Sequence, residues 1–98
     1  MPAAARLGDP GVTDCSPFNI QSASGDVFVN GQGAARLGDG ATPHKAKQRP
    51  KCPIHVTKIT GASGSVFVNG RGFARVGDPF GPQCTQVQSG SGDVFVGG

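Results

Sequence analysis

The sequence predicts an all-β fold made of three pseudo-symmetric β-hairpin repeats. Two phrases, each occurring three times, carry that prediction. Ala5-Arg6-Leu7-Gly8-Asp9 returns as Ala35-Arg36-Leu37-Gly38-Asp39 and again as Ala74-Arg75-Val76-Gly77-Asp78. Each copy is followed by a second phrase, at Gly25 to Gly31, Gly64 to Gly70 and Gly92 to Gly98, centred on a Val-Phe-Val triplet. A third observation removes the alternative. Gly or Pro interrupts the chain every few residues, and no stretch carries a 3.6-residue apolar period, so helix is excluded.

The Val-Phe-Val triplets are β-branched and aromatic and are bounded by Gly and Asn, the pattern of short strands. Asn30-Gly31 is a strong hairpin-turn dipeptide, and Asn69-Gly70 repeats it. The strand Val27 to Val29 should therefore turn and pair with Ala34 to Leu37, and Val66 to Val68 with Phe73 to Val76. The last strand, Val94 to Val96, has no successor. Its expected mate is Ala4 to Leu7, which would close the chain into a ring and remove exposed edges. The repeats then run over about 4–31, 34–70 and 73–98 within a single domain, 1–98. Successive repeat arginines lie 30 and 39 residues apart. The surplus in the middle copy falls in Pro43 to Pro53, which reads as a loop insertion and not a fourth repeat. Each Gly-Asp aspartate should cap a turn and pair with an arginine of the neighbouring strand. Because the aspartates are triplicated, a repeated structural task explains them better than a catalytic pair, which needs two different environments.

Only 36% of residues are apolar, with no Trp or Tyr, so the core is small. Scaffolds of this size usually depend on a disulfide, a metal or a partner. The net charge of +3 raises nucleic-acid binding. The basic residues, however, cluster only at Lys45, Lys47, Arg49 and Lys51, which reads as a solvated loop. No platform of aromatics among basic residues accompanies them, so no nucleic-acid partner is expected. No apolar run approaches the roughly 18 residues of a membrane-spanning helix. The opening Met1 to Ala5 lacks the pattern of a signal peptide. Synthesis in the cytoplasm, of a bacterium or of a phage-infected cell, is expected.

Five residues are good soft-metal ligands: Cys15, His44, Cys52, His55 and Cys84. Three hold matching places, with Cys15 six residues after Asp9, His44 five after Asp39 and Cys84 six after Asp78. A pseudo-three-fold fold brings such positions together on its axis, and the insertion offers Cys52 or His55 for a fourth corner. The competing readings are disulfides, disfavoured by an odd cysteine count and cytoplasmic synthesis; isolated surface histidines; and a catalytic Cys-His pair, for which no orienting group is visible. Mixed thiolate and imidazole ligands suit tetrahedral zinc, with iron a possible substitute.

The Pro2-Ala3-Ala4-Ala5-Arg6-Leu7-Gly8-Asp9 opening, its echoes and the Val-Phe-Val-Asn-Gly hairpins together resemble the PAAR-repeat proteins over essentially the whole chain. That resemblance implies a small cone with a metal-pinned apex. Its broad base would dock on the blunt end of a trimeric β-helical spike, in a type VI secretion system or a contractile phage tail. It implies His44, His55 and Cys84 as metal ligands. Cys15 stands where the family usually has a first-repeat histidine, and Cys52 is its rival. The implied role is a non-enzymatic tip that touches the target membrane transiently as it pierces it. The chain closes two residues after the last triplet, so a stand-alone tip without an effector domain is expected. An adaptor cone that recruits a separate toxin is the alternative. A hydrolase would need an open metal position and a nearby base.

Overall fold

The computed structural model describes residues 1–13, 15–45, 54–81 and 84–97. The described residues are all-β, and no helix is long and apolar enough to cross a membrane. The strands are β1 (Phe28–Val29), β2 (Gln32–Gly33), β3 (His44–Lys45), β4 (Ile54–His55), β5 (Lys58–Ile59), β6 (Phe67–Val68), β7 (Arg71–Gly72) and β8 (Phe80–Gly81). They pair antiparallel as β1–β2, β3–β4, β5–β8 and β6–β7. Strands this short cannot stabilise sheets alone. The architecture comes from how isolated bridges link them.

Both Asn-Gly dipeptides form the expected two-residue hairpin turns. Asn30 and Gly31 have φ of 55° and 79°, and Asn69 and Gly70 have 54° and 77°. Positive φ at both central residues is the requirement of a type I′ turn, which Asn and Gly meet at least cost. The tight turn changes the expected pairing. Phe28 faces Gly33 and Val29 faces Gln32, and the ribbon ends where Ala34 N donates to Val27 O at 2.9 Å. The second hairpin repeats this, ending where Phe73 N donates to Val66 O at 2.9 Å. Ala35 to Leu37 and Ala74 to Val76 are thereby released from their own hairpins.

They meet one another instead. Ala35 N donates to Ala5 O, Ala74 N to Ala35 O, and Ala5 N to Ala74 O, all at 3.0 Å. The three alanines form a closed hydrogen-bonded circuit, and all are 0% exposed. The chain ends also join, as expected, one step earlier in register. Ala3 bridges Phe95, and Ala4 N donates to Val94 O at 2.9 Å. A second circuit lies above the first. Gly11 bridges Val87, Pro10 bridges Asn19, Ile20 bridges Ala41, Gly40 bridges Lys58, Ile59 pairs with Phe80, and Pro79 bridges Gln86. No edge in this circuit is left unpaired.

Two apolar layers fill the circuits. Ala4, Ala34, Phe73, Val29, Val68 and Val96 form one. The three axial alanines with Phe18, Ile20, Ala41, Ile59, Phe80 and Val87 form the other. Phe18 fills the place left by Gly11, where an added Cβ would overlap the ring. The body is elongated, 39 × 23 × 21 Å.

Each Gly-Asp turn is closed by the arginine of its own copy, three residues earlier. Arg6 Nε and Nη2 donate to the two oxygens of Asp9, each at 3.0 Å, and Arg36–Asp39 and Arg75–Asp78 do the same. The third arginine nitrogen reaches the next hairpin: Arg36 Nη1 donates to Asn69 Oδ1 at 3.1 Å, and Arg6 Nη1 to Asn30 Oδ1 at 3.2 Å. Buried Ser24 and Ser91 donate to the same two asparagine oxygens, at 2.7 and 2.6 Å. The asparagine amides return a bond, Asn69 Nδ2 to Asp26 and Asn30 Nδ2 to Asp93, both at 2.9 Å. At the third joint Gly97 replaces the asparagine, and its carbonyl oxygen accepts from Ser63 at 2.8 Å.

Hydrogen bonds from Asn69 and then Ser24 hold the Asp26 carboxyl below its usual range, and Asn30 and then Ser91 do the same for Asp93. A carboxyl depressed in the folded state contributes stability above its unfolded value. That contribution is lost as pH falls through the folded value. Asn69→Ala should raise the Asp26 titration midpoint, measured by carboxyl NMR, and leave Asp93 where it is. An unmoved Asp26 would contradict the seal.

Candidate metal centre and docking face

The insertion in the second repeat opens as a ribbon and not as a bare loop. β3 and β4 pair with His44 facing His55 and Lys45 facing Ile54. Directly opposed residues on one ladder project to the same side, so this register sends both imidazoles the same way. The ring of His44 stacks on Phe18, with centroids 3.9 Å apart and 12° between planes. Phe18 in turn packs edge-on against Phe80 at 5.0 Å. The core thus fixes the plane of His44, which is 3% exposed. Its Nδ1 lies 2.9 Å from the Thr42 carbonyl oxygen. In the neutral ring Nδ1–H donates there, leaving the Nε2 lone pair available as a ligand.

Cys84 comes from the third repeat. Its Sγ lies 3.3 Å from His44 Nε2, and His55 Nε2 lies 2.7 Å from the same atom. One ligand atom from each of His44, His55 and Cys84 falls within 4.8 Å of the others. Tetrahedral zinc bonds of about 2.0–2.1 Å to nitrogen and 2.3 Å to sulfur set N···N near 3.3 Å and S···N near 3.5 Å. The sulfur contact fits as it stands. The imidazole pair would open by about half an ångström to admit an ion. Two nitrogens and one sulfur form a donor set that fits zinc.

The remaining cysteines are placed differently. Cys15 is not in the three-residue group, and its sulfur is in a disulfide. Its backbone is nevertheless beside the centre: Cys15 N donates to Lys45 O at 2.9 Å, and Lys45 N donates to Ser16 Oγ at 2.8 Å. Cys52, together with Lys47, Arg49 and Lys51 of the basic run, lies outside the described residues. Lys45 is exposed on β3.

Sequence reasoning missed Phe18 and Thr42, the two residues that orient His44, because neither belongs to a repeated phrase. It also missed Ser24, Ser63 and Ser91. There the signal was present, since Ser-Gly precedes every Val-Phe-Val by the same interval.

The apolar layer of Val29, Val68 and Val96, distinct from the layer of Phe18 and Phe80, carries a different surface. Within each triplet the last valine, Val29, Val68 or Val96, is buried. The phenylalanines point out: Phe28, Phe67 and Phe95 are 60%, 59% and 51% exposed. Three similarly exposed aromatic rings, two on the Asn-Gly hairpins and one on the segment that bridges Ala3, present one apolar motif three times. Exposed apolar surface of this kind marks an interaction site.

The family model of the PAAR motif matches residues 51–98. No curated protein matches the chain. The matched segment includes His55, Cys84, the second Asn-Gly hairpin and the third Arg-Asp pair.

Zinc titrated into metal-free reduced protein should bind with one ion per chain. His55→Ala should weaken binding by more than the roughly 10–100-fold that loss of an outer-sphere partner costs. Isothermal titration checks both. Undiminished binding by the variant would remove His55 from the centre.

Proposed function

We propose, for a chain that belongs through residues 51–98 with the PAAR-repeat proteins, a role as the structural tip of a contractile injection spike. The motif associates the chain with the spike tip of type VI secretion systems and related phage tails. The finer reading is that the phenylalanine-bearing end caps a trimeric spike protein and the histidine-bearing end forms the point. The observation that carries it is a contrast between two groups of residues. Phe28, Phe67 and Phe95 are presented in near-equal exposure, and His44, His55 and Cys84 are gathered once.

A three-fold partner has three identical sites around its axis. A single chain can occupy them together only if it offers nearly the same contact three times. Exposed phenylalanines do this while the valine that follows each of them, Val29, Val68 or Val96, stays in the core. Aromatic side chains are effective anchors because they bury a large area with few rotatable bonds.

The apex has a different requirement, which is to stay folded under load where little apolar surface is available. A metal held by His44, His55 and Cys84, with Cys15 or Cys52 as the fourth ligand, would tie the insertion of repeat two to repeat three. A structural zinc contributes on the order of 10 kcal/mol to folding. The role needs no turnover. A site filled by four protein ligands has no open position for an activated water.

Pull-down with the trimeric spike protein tests the docking face. Phe67→Asp should weaken capture strongly, and the triple replacement of Phe28, Phe67 and Phe95 by Asp should abolish it. Leu37→Asp, on a half-exposed turn outside the ring, should leave capture intact. Capture that survives the triple replacement would sink the docking claim.

A further inference from the structure

The three joints between the triplet segments do not carry the same charge. At the first, Ser24 Oγ lies 2.8 Å from Asp26 Oδ1, and Asn69 Nδ2 donates to the same atom at 2.9 Å. At the second, Ser91 Oγ and Asn30 Nδ2 meet Asp93 Oδ1, both at 2.9 Å. Each set of side-chain contacts ends on Oδ1, so Oδ2 takes no part in the seal. At the third joint the matching position is Ser65, which has no charge. Its hydroxyl lies 3.5 Å from Ser63 Oγ.

These positions border the exposed phenylalanines. Asp26, Ser65 and Asp93 stand two residues before Phe28, Phe67 and Phe95, and all six residues are exposed. Each aspartate is also tied to the asparagine that follows a different triplet, Asp26 to Asn69 and Asp93 to Asn30. A carboxylate therefore links neighbouring phenylalanine segments at two joints of the three. Among the described residues the other side-chain carboxylates, Asp9, Asp39 and Asp78, are buried. The arginines nearest the two seals are already committed. Arg36 and Arg6 fork onto Asp39 and Asp9, and their third nitrogens go to the asparagine oxygens. Asp26 and Asp93 are held in place in the free chain, so pairing with an incoming cation costs little further side-chain entropy.

We propose that Asp26 and Asp93 are charged specificity determinants of the docking face, which fits a three-fold partner carrying a lysine or arginine beside the apolar patch of each subunit. This rests on the docking reading and adds the partner's chemistry to it. Two of the partner's three cations meet a carboxylate, and the third faces Ser65. The phenylalanines supply buried area, and the carboxylates select. Charge complementarity of this kind acts on encounter rate and on rejection of wrong partners more than on bulk affinity. A partner with Asp or Glu beside its apolar patches is repelled at two joints.

Biolayer interferometry on the immobilised trimeric spike protein reads the association rate at low and high salt. Asp26→Asn and Asp93→Asn together should slow association about 3–10-fold at low salt. The exchange keeps Oδ1 as an acceptor for both seals. In about 1 M salt, where the screening length is about 3 Å, parent and double variant should associate equally. Ser65→Asp should speed association at low salt, and Ser65→Asn should not. Unchanged association of the double variant at low salt, while the phenylalanine variants lose capture, would overturn the proposal and leave the docking face standing. An equal loss at both salt concentrations would overturn it as well, since that marks a damaged seal and not a lost charge. A parent chain that the spike protein does not capture would overturn the docking reading and the proposal together.

Discussion

The structure depends on the circuit of three alanines. Ala5, Ala35 and Ala74 each donate a backbone hydrogen bond to one neighbour and accept one from the other. The circuit can close only if three chain segments approach within hydrogen-bonding distance of a common axis. That approach leaves room for methyl groups, and all three residues are fully buried. It explains why the repeated phrase opens with alanine. A larger side chain at any of the three would have to push apart the layers above and below. Overpacking of a filled core typically costs about 1–3 kcal/mol.

Everything outward of that axis is organised to hold the three segments in place without long strands. The arginine next to each axial alanine forks onto the aspartate three residues later, and its third nitrogen reaches Asn30, Asn69 or the Gly97 carbonyl, just after a Val-Phe-Val triplet. Bidentate pairing of this kind fixes geometry as well as contributing energy. The Ser-Asn-Asp seals then link hairpin to hairpin. Two of these joints use asparagine, and the third uses the Gly97 carbonyl. Backbone thus substitutes for side chain where the repeat departs from its own pattern, and the joint survives.

How much of this was legible in the sequence follows from which residues are repeated. The all-β class, the Asn-Gly turns, the Arg-Asp pairing and the joining of the chain ends could all be read from the echoed phrases. The strand register could not. A two-residue turn sets the pairing from Asn30 outward, so Gln32 and Gly33 took the place expected of Ala34 to Leu37, and the alanines were left for the axis. At the centre, His44, His55 and Cys84 were legible as ligand types at matching positions. Phe18 and Thr42 were not, since each occurs once and acts through the fold.

Repetition and its failure therefore divide the labour. The similar parts build a body and present one aromatic contact three times. The dissimilar parts bring His44, His55 and Cys84 together in a single group. Native mass spectrometry of the chain mixed with the proposed trimeric spike partner tests this division most directly. The account predicts one chain and one metal ion for every three spike subunits. A complex of three chains with three subunits would contradict it.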